Sequence, residues 1–108
     1  MGSRVFTIRK LRASVAQEKK IAKDVGGRRV AGSGSMPGNK GDVREANWLI
    51  EAKQTVKGRF SLTLQLWRKI ECEAFRTGKT PAMVIEMAGR SLVVISYQDW
   101  LAMREANE

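Results

Sequence analysis

Asp42, Glu51 and Lys53 are the residues of this chain whose types and spacing could do chemistry. Alternate residues of a β-strand share a face about 6.5–7 Å apart, so Glu51 and Lys53 of the run Trp48-Leu49-Ile50-Glu51-Ala52-Lys53 project to one side. Ile50 and Ala52 then face the opposite layer. Asp42 stands nine positions before Glu51, at the end of a loop and on a segment that could pair with this strand. Two carboxylates on adjacent strands suit Mg²⁺, with Mn²⁺ as substitute, because these ions take oxygen ligands and keep coordination positions for water and substrate. Phosphodiester hydrolysis needs such a set: the ion neutralises the phosphate oxygens and acidifies a water. Lys53 can orient or help deprotonate that water and stabilise the charge growing on the phosphorus oxygens, and the backbone carbonyl of Ala52 offers a further ligand. Taken alone the D-x8-E-x-K spacing is a weak signal, since a surface salt bridge uses the same residue types.

The absence of histidine and the single cysteine, Cys72, exclude zinc fingers, His-based metal nucleases, Ser-His-Asp triads and Cys-His nucleophiles by count. Chemistry must run on carboxylates, lysine, hydroxyls and hard metal ions. Cys72 cannot form an internal disulfide, and no secretory signal or apolar run of about 20 residues is visible, so a cytoplasmic, non-membrane protein is expected.

The net charge of +9 and the sequence pI near 10.3 favour a polyanionic partner, nucleic acid first. Residues 1–29 carry +7 of this: Arg4, Arg9, Lys10, Arg12, Lys19, Lys20, Lys23, Arg28 and Arg29 against Glu18 and Asp24. The basic N-terminal segment at about 1–12 and Arg29 are therefore candidate phosphate contacts. A merely solvated basic surface is the alternative.

The elements that must position these groups follow from periodicity. Leu11, Val15, Ala22 and Val25 have helical spacing and Gly26-Gly27 supplies a stop, predicting a helix from about Lys10 to Val25. Glu18 falls on that stripe, and an inward carboxylate is expensive unless something pairs with it. Arg28 to Gly32 could form a short strand, and residues 32–41 read as a loop rich in glycine and serine. Asp42-Val43 and Trp48–Lys53 suggest a hairpin. Ser61 can cap a helix running to about Thr77, with Leu62, Leu66, Ile70 and Ala74 on one face beside Trp67. Ala82–Met87 and Ser91–Tyr97 are strand candidates around a Gly89 turn, and Asp99–Asn107 reads as a terminal helix. Helix, three strands, helix, two strands, helix makes an α/β chain: one mixed sheet of about five strands covered by helices.

Gly41-Asp42-Val43 followed by Leu49-Ile50-Glu51-Ala52-Lys53 resembles the PD-(D/E)-x-K nuclease superfamily, and over roughly residues 14 to 100 the pattern is similar to its archaeal-type Holliday junction resolvases and their phage-encoded relatives. That group carries a glutamate on the first helix, a segment ending Arg-x-Ala-Gly-Ser, the Asp, the Glu-x-Lys strand and a helix bearing glutamine. This chain has Glu18, Arg29-Val30-Ala31-Gly32-Ser33, Asp42, Glu51, Lys53 and Gln65. Gly41 stands where the naming proline would be. The resemblance implies a restriction-endonuclease-like core, a single nuclease domain over residues 1–108, Asp42 and Glu51 as Mg²⁺ ligands and Lys53 as the catalytic lysine. It further implies Glu18 as an additional essential acidic residue and metal ligand, Ser33 as a phosphate or active-site contact, and Gln65 as a DNA contact. It also implies cleavage of four-way junctions in opposed strands by a homodimer, in the host bacterial cytoplasm if the chain is phage-encoded.

A two-fold dimer would place one site on each of two opposed strands. Phe60, Leu64, Trp67, Val94 and Trp100 are its interface candidates, with ordinary core as the alternative. Ser33, Ser35 and Lys40 in the glycine-serine loop, and Lys57 and Arg59 after the active strand, are further candidate DNA contacts. The loop lacks the lysine and helix signature of a nucleotide-binding P-loop, so no nucleotide cofactor is expected. Two other readings share these residues: a nuclease of the same fold acting on duplex, flap or recognition-site DNA, and a non-catalytic basic DNA-binding module.

Overall fold

The computed structural model describes residues 14–30 and 42–107. Arg4, Arg9, Lys10, Arg12, Ser33, Ser35 and Lys40 lie outside them. The order is α1 (Val15–Val25), β1 (Arg28–Arg29), β2 (Asp42–Arg44), β3 (Trp48–Thr55), α2 (Leu64–Arg76), β4 (Thr80–Met87), β5 (Arg90–Val94) and α3 (Tyr97–Ala106). The strands form one mixed sheet in the order β1-β2-β3-β4-β5. Only β3 and β4 are parallel, and α2 supplies the crossover that parallel neighbours require. The expected α/β architecture of a five-stranded mixed sheet flanked by helices is therefore present. No helix of the described residues is long and apolar enough to cross a membrane.

The period-2 alternation of β3 and β4 divides the core between two faces. Ile50, Ala52 and Ala82 pack with Val43 and Ile21 beneath α1. Met83 and Ile85 pack with Ile70 of α2 on the other face, joined by Phe60, Trp67 and Val94. Those three interface candidates are partly buried against the core, whereas Leu64 and Trp100 are exposed.

Helix α1 differs from its predicted extent and rotation. Ser14 is its N-cap, accepting from the Gln17 N–H at 2.9 Å, so the first turn begins at Val15 rather than Lys10. The buried positions are Gln17, Glu18 and Ile21, while Val15 and Val25 are exposed. The helix docks through Ile21 and through Gln17 and Glu18, whose Nε2 and Oε1 find partners while Gln17 Oε1 finds none among the described residues, and its apolar valines are left at the margin.

Gly26 closes α1 in the left-handed region at φ 71°. Gly27 follows for a different reason: a Cβ there would collide with the Arg44 carbonyl, so only glycine allows α1 to feed β1 against β2. At α2 the Thr63 hydroxyl accepts from Leu66 N–H at 3.1 Å, which places the cap two residues after the predicted Ser61. Leu62 consequently precedes the helix. Helix α3 starts two residues before the predicted Asp99, because Ser96 caps it through the Asp99 N–H at 3.0 Å. Strand β5 accordingly ends at Val94, short of Tyr97.

Candidate active site

The β2–β3 hairpin brings the candidate residues together. Asp42 is the register partner of Glu51, with Val43 opposite Ile50 and Arg44 opposite Leu49. Val43 and Ile50 face α1, so alternation turns Asp42, Arg44, Glu51 and Lys53 toward the α2 side. Lys53 Nζ lies 3.4 Å from Glu51 Oε2. Ala52 gives its side chain to the opposite core, leaving its backbone carbonyl as the only group it can offer here.

Asp42 is fully buried, and neither carboxylate oxygen has a hydrogen-bond donor among the described residues. An ionised carboxylate in that state is costly, and the molecule's remedy is a proton. Burial pushes the Asp42 carboxyl up to about 8, helped by Glu51 as acceptor for its proton and as a like charge, and then by Glu73. A divalent cation would serve in place of the proton. One or two carboxylates, with waters and substrate oxygens, are what Mg²⁺ ordinarily takes from a protein. The donor set of Asp42, Glu51 and the Ala52 carbonyl fits that requirement, although no three acidic, Cys or His side chains among the described residues converge closely enough to enclose an ion by themselves.

Glu73 was not singled out from the sequence, yet its influence reaches Asp42 from α2. Its Oε2 is 3.4 Å from Arg44 Nη2, and its side chain is largely buried. The signal for it was present: Glu73 is three residues after Ile70 and seven after Leu66, the same inward helical placement that drew notice to Glu18.

Glu18 is indeed buried, but its partner is Arg29, whose Nε lies 2.9 Å from Glu18 Oε1. Arg29 is the register partner of Val43, so this pair belongs to the α1 side of the sheet. The structure joins Asp42, Glu51 and Lys53 and leaves Glu18 on the other face. Its neighbour Gln17 binds β3 directly, donating from Nε2 to the Lys53 carbonyl at 2.9 Å. Lys57 and Arg59 are exposed just beyond β3, and Gln65 is exposed in the first turn of α2. Glu86 accepts from Gln54 Nε2 at 3.2 Å, and Cys72 is exposed.

Comparison of the chain with protein-family models, with curated proteins and with solved structures finds no match.

Proposed function

We propose that this protein is a Mg²⁺-dependent DNA endonuclease of the PD-(D/E)-x-K type, acting as a homodimer on four-way junctions. The observation that carries the metal-site reading is Asp42: a carboxylate wholly removed from water, without a donor, in register with a second carboxylate and next to a lysine. A cation there offsets a cost that the fold otherwise meets only by protonation. When bound, Mg²⁺ supplies positive charge against the scissile phosphate and acidifies a nearby water.

The chain's own residues have distinct parts in this reading. Asp42 and Glu51 hold the ion, with the Ala52 carbonyl beside them. Lys53, partly exposed at the rim, reaches the phosphate and the attacking water, orienting the water and stabilising charge on the phosphorus oxygens. Gln17 holds the Lys53 backbone in place. Lys57, Arg59 and the basic N-terminal segment contribute contacts to the DNA backbone, whereas Arg29 is committed to Glu18 on the other face. The junction preference and the dimer rest on the family resemblance together with the need for two cuts in opposed strands.

The test is cleavage of a labelled four-way junction beside a linear duplex of the same sequence, with Mg²⁺ and then with chelator. Paired metal-dependent cuts confined to the junction are expected. Equal cutting of both substrates would reduce the reading to a general nuclease, and binding without cutting across metals and pH would make the protein a DNA-binding module.

A further inference from the structure

A cavity of about 520 Å³ opens at the corner where α1 ends, the β2–β3 turn closes and β4 begins. Its lining includes three cations, Arg28, Arg44 and Lys79, against one carboxylate, Glu45. Glu45 is already engaged: its Oε1 accepts from the backbone N–H of Asn47 at 2.8 Å and of Trp48 at 3.0 Å. The cations keep donors in reserve. Lys79 Nζ donates to the Glu45 and Ala46 carbonyls at 2.7 and 3.1 Å, which leaves the third ammonium proton. Arg44 Nε is buried without an acceptor, although the same guanidinium reaches Glu73. Arg28, on the edge strand β1, is exposed and makes no ion pair with a described carboxylate. Gly27 lines the cavity where a side chain would collide with the Arg44 carbonyl.

We propose that this cavity is a phosphate-binding subsite, with Arg28, Arg44 and Lys79 as its donors and a DNA backbone phosphate as its ligand. A fork of guanidinium donors and a held ammonium suit a tetrahedral oxyanion. The negative end of the α1 dipole points to this corner and opposes an anion, a small effect that the three cations offset. Arg44 links the subsite to the candidate active site: it shares the α2-side face of β2 with Asp42, about 7 Å along the strand. A phosphate held here flanks the one addressed by Asp42, Glu51 and Lys53. Only the source of the phosphate, not the anion site itself, rests on the nuclease reading.

The test uses the full chain and the Arg28→Gln variant, because Arg28 is exposed and its loss leaves the packing intact. Inorganic phosphate is titrated while backbone amides are followed by NMR, and the salt dependence of DNA-duplex binding is measured in parallel. Phosphate should move the amides of Gly27, Arg28 and Lys79. Arg28→Gln should weaken that response severalfold and lower the slope of log K against log salt by about 0.9. Arg90→Gln, the same charge loss on β5, should leave the phosphate response unchanged. A response absent from these amides, or equal in Arg28→Gln, overturns the subsite. A lost phosphate response with an unchanged DNA slope overturns the backbone assignment in favour of a small phosphate-bearing molecule. Absent junction cleavage with the phosphate response intact overturns the nuclease reading and leaves the subsite standing.

Discussion

Asp42 and Glu51 are register partners across β2 and β3, and Asp42 is so completely buried that its carboxyl is held near pH 8 instead of in the ordinary acidic range. Two like groups on one face of a sheet oppose each other unless a proton or a cation intervenes.

The stability of the metal-free protein should therefore depend on pH in the sense opposite to a salt-bridged aspartate. Asp42 binds its proton more tightly folded, with a pKa of about 8, than unfolded, near 3.8. Its contribution is fully present below about pH 4 and is lost as pH rises through about 8. Melting temperature in chelator should fall across that window, and Mg²⁺ should raise it more at pH 8 than at pH 5.5. A Mg²⁺ effect independent of pH would argue against Asp42 as a ligand.

Asp42→Asn replaces the acid with a group that needs no proton and can donate to Glu51. It should raise the melting temperature in chelator at pH 8 by several degrees, flatten the pH profile and abolish cleavage. Thermal denaturation at pH 5.5 and pH 8, beside the junction assay, checks all three.

Lys53→Ala removes the partly exposed partner of Glu51, at a stability cost within about 1 kcal/mol. Cleavage should fall by about 100-fold or more if the lysine stabilises charge at the phosphate. Junction affinity should persist, since it comes from the wider basic surface. Gel-shift and single-turnover cleavage separate the two effects, and retained cleavage would remove Lys53 from the mechanism.

Arg29→Ala leaves Glu18 buried with its ion-pair partner gone, and should destabilise the fold by about 2–3 kcal/mol in urea denaturation. Glu18→Gln should cost less, because the amide carries no charge. If Glu18 is structural, as its place on the α1 side indicates, Glu18→Gln keeps substantial cleavage activity. Complete loss of cleavage in a folded Glu18→Gln protein would restore it to the catalytic set.

Ala88 and Gly89 form the two-residue turn between β4 and β5 with φ values of 48° and 84°. Both central positions of such a hairpin require positive φ, which alanine adopts at a cost and asparagine tolerates. Ala88→Asn should stabilise the protein by about 0.5–1 kcal/mol, read as an upward shift in melting temperature.

The sequence by itself determined the hairpin and what it carries. A two-residue period places Glu51 and Lys53 on one face, and a short connection leaves β2 few ways to pair, so Asp42 opposite Glu51 followed from local rules. Tertiary docking decided the rest. The inward face of α1 is set by Gln17 reaching Lys53 and Glu18 reaching Arg29, 36 and 11 positions away, and apolar spacing alone pointed to Val15 and Val25 instead. The Arg44–Glu73 pair likewise forms only once α2 lies against the sheet, bringing together residues 29 positions apart, and the Arg44 cavity only once Lys79 and the end of α1 meet the β2–β3 turn. Hydrophobic periodicity reports which positions leave water; which polar groups leave with them depends on partners that the fold alone supplies.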